Sequence, residues 1–164
     1  MHLSEKIFTG FHGNLQDHTN NITMKRTAQA VWNGDIKNGK GAISTQSGVL
    51  ENTQYSFNTR FAEGIGTNPE ELLGAAHAGC FTMAMSLALT QLGFTPGALQ
   101  TTATVFFDMG KGLIEAIELA LHAEPINGLS EKEFVEIAKG AKANCLISKA
   151  LGGLDISLTT NYSK

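Results

Sequence analysis

Asn68-Pro69-Glu70-Glu71-Leu72-Leu73-Gly74-Ala75-Ala76-His77-Ala78-Gly79-Cys80-Phe81 reads as the start of a helix. Asn68 is a good N-cap, Pro69 suits the first helical position, and Glu71 stands where a capping-box carboxylate belongs. Leu72, Ala76, Cys80, Met83 and Leu87 then recur at three- and four-residue spacing, with Leu73, Ala84, Ala88 and Leu92 widening the stripe. Gly93 is the expected stop. A helix this apolar is expected in the middle of a structure.

Before this helix lie three short β-type runs. Thr27 to Trp32 alternates loosely, Asn33-Gly34-Asp35 turns the chain, and Ala42 to Thr45 and Tyr55 to Phe61 follow. The Gly34 to Gly41 stretch is no phosphate loop, since no G-K-[ST] end follows it. After the helix, Thr101 to Met109 and Ile114 to Ala123 read as a hairpin through Gly110-Lys111-Gly112. Ser130 and Glu133 then mark a second helix, with Phe134, Ile137, Ala138, Ala141 and Cys145 as its apolar stripe. Leu154 to Tyr162 alternates as a half-buried last strand. Three strands, a helix, two strands, a helix and a strand lack the regular alternation of a parallel α/β fold, so the class expected is α+β.

The chain has 164 residues, enough for one domain with its own core. Residues 1–24 read as an N-terminal extension, either loose or packed as an arm, and 25–164 as a single domain. Twelve basic and 15 acidic residues leave a formal net charge of −3, and no Lys/Arg cluster suggests a nucleic-acid partner. No run of 18 or more apolar residues suggests a membrane span. Two cysteines are too few for a disulfide framework, and the first residues lack the pattern of a signal peptide. A reducing, cytoplasmic setting is expected, in which a disulfide would be transient and catalytic.

Cys80 and Cys145 carry the chemical interest, because two sulfurs on touching helices would make a reactive pair. A buried free cysteine is also an ordinary small hydrophobe. Reactivity needs a thiolate, and a free thiol titrates near about 8.5 unless a cation or a helix N-terminus lowers it. Cys80 is about three turns into its helix, beyond reach of the dipole effect. Arg60, read here at the end of a strand, is the best placed cation. Glu70 and Glu71 are the carboxylates near enough in sequence to fork with it. His77, three residues before Cys80, reads as a hydrogen-bonding residue rather than a metal ligand. Phe57, Phe61, Phe81 and Phe107 are candidates for a substrate channel or for core.

Asn58-Thr59-Arg60-Phe61, the run from Thr67 to Phe81, Ala141-Lys142-Ala143-Asn144-Cys145 and Trp32-Asn33-Gly34-Asp35-Ile36-Lys37 together resemble the OsmC/Ohr family, more closely its OsmC branch. The resemblance implies an OsmC-like fold of about six strands and two long central helices in an intertwined homodimer. It implies a thiol-dependent peroxidase of organic hydroperoxides and hydrogen peroxide, serving in oxidative or osmotic stress. Cys80 matches the family's peroxidatic cysteine, Cys145 its resolving cysteine, Arg60 the arginine that holds the thiolate, and Glu70 the glutamate that orients that arginine. The implied cycle runs through a Cys80 sulfenic acid and a Cys80–Cys145 disulfide. An external dithiol of dihydrolipoyl type, on a lipoylated protein or a small carrier, then restores the thiols. No metal and no tightly bound cofactor is implied.

Ten residues separate Glu70 from Cys80, about 15 Å along one helix, so a shared site would take Glu70 from a second subunit. Family members usually carry proline after the resolving cysteine. Here Leu146 stands instead, and the helix is expected to run on through it. The alternative function is a peroxide sensor or small-molecule-binding dimer of the same fold without turnover.

Overall fold

The computed structural model describes residues 23–163, so the proposed extension falls almost wholly outside the described residues. The chain forms two compact units, residues 23–72 and 73–163.

In the first unit, β1 (Ala28–Asn33), β2 (Lys40–Thr45) and β3 (Thr53–Tyr55) form an antiparallel sheet in that order. Asp35 fixes the β1–β2 turn by accepting the Lys37 and Asn38 N–H groups at 3.0 Å. Gly41 pairs with Trp32 on one side and Tyr55 on the other. A Cβ there would run into the Tyr55 ring, so glycine is what lets Tyr55 approach Trp32, with ring centroids 5.4 Å apart.

The expected strand from Tyr55 to Phe61 is corrected here. The strand ends at Tyr55, and Phe57–Phe61 is a short helix, α1. Ser56 and Thr59 explain the switch. Ser56 Oγ accepts the Thr59 N–H at 3.3 Å, and Thr59 Oγ1 accepts the Ser56 N–H at 2.8 Å. This capping box turns the chain before the aromatic residues can alternate as a strand. Arg60 therefore sits on a helix, not a strand.

The next helix, α2 (Pro69–Gln91), carries the chain from the first unit into the second without a break. Asn68 Oδ1 caps it by accepting the Glu71 N–H at 2.8 Å. In the second unit follow β4 (Leu99–Asp108), β5 (Leu113–Ala123), α3 (Glu131–Asn144), α4 (Leu146–Ala150) and β6 (Asp155–Tyr162). β4 and β5 form the expected hairpin, and β6 joins β5 in parallel after the crossover through α3. Ser130 and Glu133 make the expected capping box of α3. The architecture is α+β, with six strands and two main helices.

Phe81, Met85, Leu89, Ile117, Leu119, Leu121, Phe134 and Ile137 form the core of the second unit and are fully buried or nearly so. Gly74 brings α2 against β4, where an added Cβ would meet the Ala103 carbonyl at 3.3 Å. Phe134 stacks on Tyr162 at 4.2 Å, and the Tyr162 hydroxyl reaches the Leu129 carbonyl at 3.1 Å.

Two expectations about the helices change. α2 buries Phe81, Met85, Ala88 and Leu89, while Met83 and Leu87 of the expected stripe are 75% and 48% exposed. α2 is apolar on all sides, so periodicity alone does not select the face that packs. By length and composition it is also apolar enough to cross a membrane, although one face packs into this core. The second change concerns Leu146. The helix does not run through it: α3 ends at Asn144, and Cys145 takes φ −60°, ψ 125° before α4 starts. The Cys145 N–H still bonds the Ala141 carbonyl at 2.9 Å, so the break falls after the nitrogen of Cys145. Phe134→Ala should cost about 3–5 kcal/mol of stability, read from the urea unfolding midpoint at fixed protein concentration.

Candidate active site

The second unit brings the two cysteines together. Both are free thiols, Cys145 buried and Cys80 half-buried. Cys80 comes from α2, and Cys145 occupies the break between α3 and α4. The break exposes the first N–H groups of α4 to the sulfurs. The Ile147 and Leu146 N–H groups lower the Cys80 pKa and the Ser148 and Ile147 N–H groups lower that of Cys145, while the Cys145 side chain makes no capping hydrogen bond to α4. The two sulfurs lie close enough for each to shift the other's pKa.

The two thiols are driven in opposite directions. Burial pushes the Cys80 thiol up, and the Cys145 sulfur adds to that push, against the pull of the Ile147 and Leu146 N–H groups. Burial opposes ionisation of Cys145 too. There the Ser148 N–H, the Cys80 thiol, the Ser148 hydroxyl and the Ile147 N–H outweigh it, and the Cys145 pKa falls below the ordinary thiol value. Within this unit alone, Cys145 is the acidic thiol.

The first unit holds an arginine paired with a carboxylate. Arg60 forks onto Glu70: Nη2 donates to Oε1 at 2.7 Å, and Nε donates to Oε1 and Oε2 at 3.2 and 3.3 Å. Glu70, its side chain 10% exposed, holds the guanidinium by Nε and Nη2, so Nη1 is not engaged by this carboxylate. The Arg60 guanidinium also lies 5.1 Å from the centre of the Phe61 ring. Trp32, Ile36, Tyr55, Phe57, Arg60 and Phe61 line a cavity of about 220 Å³ in the same unit. Of the phenylalanines considered for a channel, Phe57 and Phe61 line this cavity and Phe81 is core.

Sequence reasoning left Ser148 without a role and His77 without a partner. His77 Nε2 lies 2.8 Å from Ser148 Oγ. His77 is fully buried, and burial together with the Lys142 charge keeps its pKa below the ordinary imidazole value. The signal available in the sequence was the His-x-x-Cys spacing on α2.

Two free cysteines close together at a helix break are the arrangement that dithiol redox chemistry requires. The OsmC-like protein family matches residues 62–160. Peroxiredoxin OsmC of Escherichia coli is 48% identical over 131 residues, covering 79% of this chain and 92% of that protein. The chain belongs to the OsmC/Ohr family. Organic hydroperoxide resistance protein-like 1 of Staphylococcus epidermidis is 32% identical over 99 residues, covering 59% of this chain and 71% of that one. The crystal structure of the OsmC-like protein of Mycoplasma pneumoniae shares the fold at a TM-score of 0.70 and 17% identity, covering 87% of this chain and all of that one.

The buried neutral His77 sets a pH dependence of stability. Its folded pKa lies below the unfolded value of 6.5, so at high pH it is neutral in both states and contributes no slope. As pH falls through 6.5 the unfolded chain takes up a proton that the folded chain refuses, and stability declines until the folded pKa is passed. Urea midpoints measured downward from neutral pH should fall in the wild type and fall less steeply in His77→Gln.

Proposed function

We propose that this chain is a two-cysteine peroxidase that reduces organic hydroperoxides and, less selectively, hydrogen peroxide. The contact between the free thiols of Cys80 and Cys145 is the observation that carries this reading. The names of the relatives, peroxiredoxin and organic hydroperoxide resistance protein, support it. The Cys80 thiolate attacks the peroxide, the O–O bond breaks, and an alcohol or water leaves after taking a proton. Cys80 becomes a sulfenic acid. Cys145 then condenses with it, forming the disulfide and releasing water. An external dithiol of dihydrolipoyl type reduces the disulfide by exchange. The setting is a reducing cytoplasm and the role is defence in oxidative or osmotic stress.

The active unit is a homodimer with Arg60 and Glu70 working across it. Three features support this. α2 is unbroken from Pro69 to Gln91, which sets Glu70 and Cys80 about 15 Å apart along its axis. Its outer face, with Ala76, Gly79, Met83 and Leu87, is exposed and apolar. Cys80 needs a cation, and the Arg60–Glu70 fork is preassembled to offer one. The partner's guanidinium would hold the Cys80 thiolate, and the aromatic cavity beside it would take the alkyl part of the peroxide.

Cys145→Ser should consume about one peroxide per Cys80 and then stop, in a turnover assay with a bulky organic hydroperoxide, hydrogen peroxide and a dihydrolipoyl donor. Normal cycling would remove the resolving role, and no peroxide consumption by the wild type with any donor would leave the sensor or binder reading. The dimeric site has its own test. Equal amounts of inactive Cys80→Ser and Glu70→Gln proteins, allowed to exchange subunits, should recover about a quarter of wild-type activity, because half of the dimers then hold one intact site. Mixing that restores nothing would place Glu70 and Cys80 of one chain in the same site.

A further inference from the structure

Between α3, α4 and β6 lies a cavity of about 240 Å³, lined by Lys142, Ala143, Ser148, Lys149, Leu154 and Ile156. Both of its lysines lack a counter-ion. Among the described residues the lysine ion pairs are Lys111 with Asp108 and Glu115, and Lys139 with Glu136. Lys142 Nζ instead donates to the Ile156 carbonyl at 2.6 Å, and Lys149 Nζ reaches Asn144 Oδ1 at 3.4 Å. Each contact uses one of the three protons of an ammonium, and neither acceptor carries a negative charge.

This leaves positive charge without compensation at one place. Lys142 is half-buried on α3, and a charge drawn out of water is better offset by an opposite charge than by a lone carbonyl. After burial itself, the Lys142 charge is what holds the buried His77 below the ordinary imidazole pKa. Acidic residues outnumber basic ones 15 to 12, yet none pairs with Lys142 or Lys149 among the described residues.

The lining also limits what would complete the site. The volume falls below the roughly 300–1,000 Å³ of sites for drug-sized ligands, so the ligand is small. An inorganic oxyanion would meet ammonium groups on one side and bare hydrocarbon from Leu154 and Ile156 on the other. A carboxylate with a short alkyl chain matches both. We propose that this cavity binds a small aliphatic carboxylate, its oxygens on Lys142 and Lys149 and its chain against Leu154 and Ile156. Lys142 precedes the break at Cys145 and Lys149 follows it, so the bound acid ties α3 to α4 across the break. Binding is independent of the peroxidase cycle and is tested without peroxide.

Butyrate is the probe, titrated into the whole chain at fixed ionic strength with chloride as the balancing anion. The readout is the set of imidazole resonances of His77, assigned by their loss in His77→Gln. Ser148 lines the cavity and its Oγ lies 2.8 Å from His77 Nε2, so the ring reports on the site from within the core. Butyrate should shift these resonances saturably. Lys142→Met and Lys149→Met keep an apolar stem and should each weaken binding about tenfold. Lys139→Met removes the same charge from a lysine already paired with Glu136 and should leave the affinity unchanged. Butyrate should also raise the thermal midpoint of the wild type more than that of Lys142→Met. Phosphate should bind more weakly than butyrate; phosphate binding as tightly would overturn the carboxylic acid in favour of an inorganic oxyanion. No saturable shift with butyrate, or wild-type affinity in both lysine variants, overturns the site itself. Should Lys142→Met unfold, Lys149→Met against Lys139→Met carries the comparison.

Discussion

The break in the chain at Cys145 is the constraint on which the dithiol pair depends. A helix continued through Cys145 would spend its N–H groups on carbonyls four residues back. Ending α3 at Asn144 and starting α4 at Leu146 releases the N–H groups of residues 146–148. They lie near the two sulfurs and favour their ionised forms.

The rest of the second unit keeps that break in place. The Phe134, Ile137, Ala138 and Ala141 face of α3 is buried in the core, and Cys145 continues the same stripe. Lys142 ties α3 to β6 through the Ile156 carbonyl, and Lys149 Nζ reaches Asn144 Oδ1 across the break at 3.4 Å. Gly74 lets α2 lie close on β4 about 1.7 turns before Cys80. The first unit follows a similar logic on a smaller scale. The Ser56–Thr59 box sets the helix that carries Arg60, and Asn68 joins that helix to α2 by donating to the Thr59 carbonyl at 3.1 Å.

Much of this was legible in the sequence, for definite reasons. α3 announced itself through Ser130 and Glu133, and α2 through Asn68 and Pro69, because caps are local chemistry. The β4–β5 hairpin followed from its glycine-rich turn. α1 was missed because five residues are too few to show a helical period, and Phe57, Tyr55 and Phe61 imitate strand alternation; Ser56 and Thr59 were the available signal. The packing face of α2 was missed because every face is apolar. The break after Asn144 has neither proline nor glycine at its start, so it depends on tertiary contacts that a local pattern does not contain. Proximity in the chain offered both Glu70 and Glu71 to Arg60, and the family resemblance singled out Glu70, the partner observed, whereas the His77–Ser148 contact spans 71 residues.

Leu146 is 74% exposed, and it reaches the chemistry through its N–H alone. The amides of residues 146–148 lie where they favour an ionised sulfur. A disulfide carries no such charge, so closing it forfeits that stabilisation. Groups that stabilise the reduced form raise the reduction potential of a couple. In the proposed cycle, the same turn of backbone would make a Cys80–Cys145 disulfide a ready electron acceptor, suited to rapid return to the dithiol rather than to lasting as a structural cross-link.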